Sequence, residues 1–235
     1  MLPLWETENN GRGAPVTAGL VVACVAVFIG QLAHAVTGGA EGGARWTVRW
    51  ALVPAELAAR PEEGRQWARV FSAMFLHGGI GHLAGNGWFL WVFGRAVEQR
   101  LGGARLLMFY LVAGVVAAAS QVAFSWGSTV PMLGASGAVA GVLGAYFVLR
   151  PRAWVVALVP WIVPLLPIPA VVFLGLWFVV QLWQGLGATA AGGEGGVAWW
   201  AHVGGFVAGV WLARGPRQVK GATNSRAGRG ARPRR

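Results

Sequence analysis

With 56% hydrophobic and only 11% charged residues among 235, the chain has too few charges to cover a water-soluble globule, so it reads as an all-α polytopic membrane protein. The formal charge of +11 does not mark a nucleic-acid binder, because most of the excess lies in residues 214–235. A single cysteine, Cys24, excludes an internal disulfide and a thiolate metal cluster, and the absence of Asp excludes an aspartate-oriented triad.

Residues 1–15 are polar, with Glu6 and Glu8 ahead of Arg12, and lack the basic start of a cleavable signal peptide. They read as a cytoplasmic lead to a membrane domain of residues 16–213. A first span is expected over Thr17 to Val36, followed by a long, partly ordered loop from Thr37 to Arg69 with an amphipathic piece from Trp50 to Leu57. The second span, from Gly81 to Val97, carries His82 and Asn86 in its first turns, and the third runs from Leu106 to Phe124. A loop from Ser125 to Leu133 leads to the fourth helix, which opens at Ser136 and stops at Arg150-Pro151-Arg152, where proline ends the helical ladder. Residues 153–169 are apolar but contain Pro160, Pro164, Pro167 and Pro169, which suits an extended connection better than a span. The fifth helix covers Val171 to Leu186, the glycine-rich Gly187 to Gly196 forms a flexible loop, and the sixth helix covers Val197 to Ala213. Residues 214–235, rich in Gly, Ala and Arg, read as a disordered basic tail attracted to anionic lipid on the cytoplasmic leaflet.

Six spans put both termini on one side of the membrane. Arg12, Arg95, Arg100, Arg105, Arg150, Arg152 and the basic residues from Arg214 onward then share one face, against Arg45, Arg49, Arg60, Arg65 and Arg69 on the other. The positive-inside rule makes the termini cytoplasmic, consistent with a multi-pass protein of the plasma membrane. The second, fourth and sixth helices therefore run from outside to inside, and each carries its unusual polar residues in its first turns. His82, Asn86, Ser136 and His202 are thereby expected at one depth, near the outer leaflet.

The stretch Gly134-Ala-Ser136-Gly-Ala-Val-Ala-Gly141 alone suits a packing seam between membrane helices. Ala201-His202-Val-Gly-Gly-Phe-Val-Ala-Gly209 adds an ionisable ring to a second glycine-laced helix, and a histidine in a span points to function. A serine becomes a nucleophile when a positioned base takes its proton, and His202 is the available base for Ser136. His82 and Asn86, spaced i, i+4, share one helix face and can donate to a developing oxyanion together with the Ser136 backbone N–H. Glycines on both helices, Gly205 and Gly209 included, let the two backbones approach. His77 and His82 lack both the spacing and the intervening Glu of a zinc-protease helix, so no metal is expected; His77 is assigned to fixing the loop entry by hydrogen bonding. His34 reads as an ordinary interfacial histidine. Glu98 and Arg100 read as a structural ion pair or a carbonyl cap.

The chain resembles the rhomboid family of intramembrane serine proteases. The resemblance rests on Trp67-Ala-Arg69-Val-Phe71, Phe75-Leu-His77, His82-Leu83 with Asn86, Gly94 through Val97-Glu98, Arg100-Leu-Gly102, Gly134-Ala-Ser136-Gly137 and Ala201-His202-Val-Gly-Gly205. It implies a six-helix fold with Ser136 as nucleophile, His202 as base, and His82 and Asn86 as oxyanion donors. It implies no cofactor, and as partners transmembrane protein substrates and membrane lipid, with no nucleic acid. It also implies lateral substrate entry by the fifth helix, under the 187–196 loop as a cap; Trp88, Trp91, Trp177 and Trp183 supply bulk for such a gate. Ala68 interrupts the family's Trp-Arg pair, so Arg69 carries over more directly than Trp67. A proteolytically inactive client-binding relative would not need Ser136, His202 and Asn86 together. A transporter would need ionisable residues continuing toward the cytoplasm.

Overall fold

The computed structural model describes residues 1–7, 13–159, 163–192 and 196–214. The chain is mostly helical, and three of its helices are long and apolar enough to cross a membrane: α1 (Pro15–Trp50), α6 (Gly103–Phe124) and α8 (Ala170–Ala190). The remaining elements are α2 (Pro54–Ala59), α3 (Gly64–Ser72), α4 (Ile80–Phe89), a π-helical segment Leu90–Gly94, α5 (Arg95–Leu101), α7 (Ser136–Leu149), α9 (Trp199–Ala213) and the strands β1 (Leu2–Glu6), β2 (Trp154–Val159) and β3 (Val163–Pro169). The tail from residue 215 onward, Arg12 and the middle of the 187–196 loop lie outside the described residues.

The centre is built from α6, α7 and α9, and its geometry follows from small residues. A Cβ on Gly205 would collide with the carbonyl oxygen of Gly137, one on Gly209 with that of Gly141, and one on Gly144 with that of Phe206. The α7 and α9 backbones thus touch directly, which no larger residue permits. On the opposite side of α7, a Cβ at Gly137 would lie 2.7 Å from Ala117 Cβ of α6. A Cβ on Gly204 of α9 would meet Ser120 Oγ of α6 at 2.7 Å. Every residue of α7 from Gly137 to Tyr146 is buried, so this short apolar helix is the core of the molecule.

α1 departs from the expected single span of 17–36. Helical hydrogen bonding continues to Trp50, but Gly39 sits at φ 67°, in the left-handed region that glycine tolerates, and there the chain reverses. Gln31 Nε2 donates to Thr47 Oγ1 at 3.1 Å, and the rings of His34 and Trp46 stack at 4.9 Å. Residues 16 apart in a straight helix would be separated by roughly 24 Å. Much of the expected 37–69 loop is therefore helical, and α2 and α3 occupy the rest. Leu52 pairs with Met132 through bonds of 3.0 and 2.7 Å and Ala55 N donates to Ser128 O, which ties this region to the segment before α7.

The expected second span is a continuous run through α4, the π segment and α5, with right-handed helical backbone at both junctions. Its far end is fixed by Glu98. The carboxylate turns away from the exposed Arg100 and accepts from Val16 N at 3.0 Å, from Thr17 N at 2.7 Å and from Thr17 Oγ1 at 2.7 Å. Glu98 is thus neither an ion pair with Arg100 nor a carbonyl cap. It caps the N-terminus of α1, where the first amides lack intrahelical partners and favour negative charge.

The departure from an all-helical fold is an antiparallel sheet of order β1-β2-β3. The extended character expected for 153–169 is realised as β2 and β3, and the polar lead supplies β1. Proline-rich β3 lies at the edge, where a missing N–H breaks no ladder. Tyr146 O–H donates to Glu6 at 3.0 Å, and Phe93, Tyr146 and Phe173 pack together nearby, so the sheet is anchored to the end of α7 opposite Ser136.

Gly209→Ala is expected to lower stability by about 1–3 kcal/mol or more, because the obstructing atom is a backbone carbonyl that cannot turn aside. Gly175→Ala, in α8 with open space around its Cβ position, is the control and should be neutral or mildly stabilising. Thermal unfolding of both variants in detergent measures the difference.

Candidate active site

α7 begins at Ser136, so the Ser136 amide belongs to the helical N–H groups without an i−4 partner. Two residues earlier, Gly134 adopts φ 128°, and its N–H donates to Ala73 O at 2.8 Å. The glycine is required for space as well as conformation. A Cβ there would lie 2.7 Å from His82 Cε1, 2.9 Å from His82 Nε2 and 3.6 Å from Ser136 Oγ. The imidazole of His82 therefore rests against the turn that presents Ser136.

His202 lies one turn into α9. Its Nδ1 is 2.7 Å from Gln181 Oε1 of α8, and its ring centroid is 6.0 Å from those of both Trp177 and Trp199, the latter edge-on at 88°. Ala201 N, at the start of α9, donates to Gln121 Oε1 of α6 at 3.2 Å, and Gln121 Nε2 donates to Ser125 Oγ at 2.7 Å. Asn86 presents an enclosed Nδ2 that has no hydrogen-bond partner.

His82, Asn86, Ser136 and His202 line one cavity of about 540 Å³, with the polar side chains of Ser125 and Ser128 at its rim. The same four residues line a second cleft of about 250 Å³, bounded by Gly81, Gly85 and Phe89 of α4 and by Trp177 and Gln181 of α8. The polar residues expected at one depth are thus adjacent. Of the four tryptophans offered as gate residues, Trp177 alone lines this cleft. Trp183 is exposed, the Trp88 indole donates to Pro3 O of β1, and Trp91 carries the Arg95 guanidinium over its ring at 4.8 Å.

The supporting residues have definite partners. The buried backbone of His77 is held at both groups by Gln31: His77 N donates to Gln31 Oε1 and Gln31 Nε2 donates to His77 O, each at 3.0 Å. The His77 ring meets the His82 ring edge-on at 5.2 Å. Arg69 donates to Arg49 O at 2.9 Å and to Gln66 Oε1 at 3.2 Å, and pairs with Glu56, while Trp67 turns outward to Pro61 O. Gly205 and Gly209 are the close-contact positions described above. Sequence reasoning did not single out Gln31, Gln121 or Gln181. Their one signal was an amide inside an otherwise apolar span. Among the described residues no group of three His, Cys, Asp or Glu is arranged to hold a metal ion.

The helical fold thus gathers a helix-terminal serine, two histidines and an asparagine amide around one cavity. A profile of the Rhomboid domain matches residues 64–216, and the chain belongs to the rhomboid family. It is 44% identical over 80 residues to the Rhomboid protease GluP of Bacillus subtilis, covering 34% of this chain and 15% of that protein. To the Rhomboid protease GlpG of Salmonella choleraesuis it is 26% identical over 206 residues, 86% of this chain and 63% of the relative. To RHOMBOID-like protein 5 of Arabidopsis thaliana it is 40% identical over 85 residues, 36% of this chain and 27% of the relative. The chain thus spans less than two thirds of the length of these curated relatives.

The Arg69–Glu56 pair makes a pH prediction for the scaffold. The hydrogen bond from Arg69 holds the Glu56 carboxyl below its ordinary value of 4.5, against the opposing effect of desolvation. A depressed folded-state pKa contributes stability that is fully present above pH 4.5 and is lost as pH falls through the folded value. Glu56→Gln should therefore be less stable than the parent at neutral pH, and the gap should close under acid. Because the Glu56 side chain is 43% exposed, the gap should be small. Unfolding curves at neutral and acid pH check it.

Proposed function

We propose that this chain is a serine endopeptidase that cleaves transmembrane segments of other membrane proteins near the outer face of the membrane. The observation that carries the proposal is the shared lining of one cavity by His82, Asn86, Ser136 and His202. Two relatives named as rhomboid proteases add support.

Ser136 Oγ attacks the scissile carbonyl carbon while His202 takes the hydroxyl proton, and the carbonyl oxygen becomes an oxyanion. Asn86 Nδ2, the His82 ring and the Ser136 N–H are its donors, and a preorganised donor of this kind contributes about 2.7–4 kcal/mol of transition-state stabilisation. Collapse returns the proton from His202 to the leaving amine and leaves an acyl-Ser136. A water molecule, deprotonated by the same imidazole, then attacks the acyl carbon; the bond to Ser136 Oγ breaks, His202 returns the proton to Oγ, and the acid is released. No cofactor or metal enters these steps. The partners are single transmembrane helices, and the α4–α8 cleft with Trp177 on its wall suits their entry from the side.

The topology that accompanies this reading has six crossings with both termini cytoplasmic, in the plasma membrane. In a Cys24→Ser background, single cysteines at the exposed positions Glu62 and Arg152 should react with an impermeant thiol reagent from opposite sides. Labelling from the same side breaks the six-span arrangement.

The activity is tested with a small fluorophosphonate, which reports an activated serine without a known substrate. The parent protein should be phosphonylated at Ser136, with fluoride leaving and the hydroxyl proton passing to His202. Ser136→Ala should abolish the adduct and His202→Ala should suppress it as fully, because the members of such a unit are not additive. Mass spectrometry locates the adduct, and Ser72 and Ser120 are internal controls. An unreacted Ser136, or equal reaction without His202, would replace the protease reading with that of a client-binding membrane protein.

A further inference from the structure

Relying on the Ser136–His202 reading, we propose that Gln181 of α8 is the positioning residue of the reaction: its amide oxygen accepts from Nδ1–H of His202 and so leaves Nε2 as the lone-pair nitrogen that takes the Ser136 proton. An imidazole carries one proton on two nitrogens when neutral, and the partner of one nitrogen decides the state of the other. The chain has no Asp, and none of its described Glu residues lines either cavity at the site. The role that a carboxylate fills in a triad therefore falls to a neutral acceptor. Gln181 has the required geometry: it is buried, 7% exposed, and Oε1 is 2.7 Å from Nδ1.

Among the described residues no group other than Gln181 hydrogen-bonds His202 Nδ1. α9 contributes Trp199 edge-on, α8 contributes Trp177 one turn before Gln181, and α4 contributes His82, the titratable group nearest in the cavity. Two aromatic rings confine the imidazole plane, and the amide sets its rotation within that plane. Gln181 also lies on the helix that bounds the lateral cleft, so the contact that orients the base is carried by the wall past which a substrate helix enters. A carbonyl and a carboxylate can both accept at this position, whereas a thioether of equal length cannot usefully do so.

The test compares Gln181→Met, which keeps the length and removes the acceptor, with Gln181→Glu, which keeps an acceptor oxygen at the same position. Detergent-solubilised full-length protein is treated with a small fluorophosphonate, and cleavage of a single-span substrate is followed in parallel. Gln181→Met should slow phosphonylation of Ser136 by about tenfold or more, a part of the ~10²–10⁴ that a positioned base supplies. It should lower kcat by a similar factor with little change in KM, and Gln181→Glu should recover most of the loss. Equal slowing in both variants, or a rise in KM with phosphonylation unchanged, would assign Gln181 to packing or to substrate entry and overturn the proposal. His202→Ala runs alongside: if that variant still reacts, the Ser136–His202 reading has failed rather than the role of Gln181. Nitrogen NMR of histidine-labelled parent protein supplies a check that needs no variant to fold. His202 should be the Nδ1–H tautomer, and the Nε2–H tautomer would overturn the proposal.

Discussion

Everything at the site depends on two helix backbones touching. In lipid there is no hydrophobic gain from pairing apolar helices, so close contact comes from van der Waals packing and is available only where side chains are absent. Gly137 and Gly141 of α7 face Gly205 and Gly209 of α9, and the carbonyls of the first pair occupy the space that Cβ atoms on the second would need. That approach brings the first residue of α7 beside the first turn of α9. A Cβ at Gly205 or Gly209 would push α9 from α7 and so separate His202 from Ser136, whereas one at Gly137 or Gly141 would collide with Ala117 or Ala113 of α6. Stability and chemistry thus share one set of glycines.

Around this contact, buried polar groups are satisfied by partners far away in sequence. Glu98 closes the start of α1, Gln31 holds the His77 backbone, and Gln121 holds the Ala201 amide in the first turn of α9. Each replaces water where water is scarce, and an unpaired polar group there would carry a penalty of several kcal/mol. These bonds tie α1 to α5, α1 to the loop before α4, and α6 to α9, so they fix how those elements are disposed around the cavity. Among the described residues, Asn86 Nδ2 and His77 Nε2 are enclosed without a hydrogen-bond partner. The Asn86 donor lines the same cavity as Ser136, where it suits a ligand oxygen.

Much of the site was legible beforehand. Ser136, His202, His82 and Asn86 are polar residues in apolar, glycine-rich runs, and that signal needs no tertiary contact. Less legible were features created by pairing across the fold. The helix beyond Gly39 was hidden because the glycines and charges from Thr37 to Arg45 suit a loop. β1 was hidden because a five-residue strand acquires meaning only beside β2. Glu98 was read against its neighbour Arg100, whereas its partners are more than 80 positions away.

Composition and periodicity by themselves determined that this protein lives in a membrane, where its apolar segments run, and which residues are chemically unusual within them. They could do so because hydrophobic burial and the intolerance of lipid for charge act on each segment independently. Only the tertiary structure decided which polar groups meet. A glutamine in a span could face any neighbour, and it is the packing of α8 on α9 that brings Gln181 to 2.7 Å from His202. Hydrogen bonds between helices depend on rotation and depth, two quantities that no single helix carries in its own sequence.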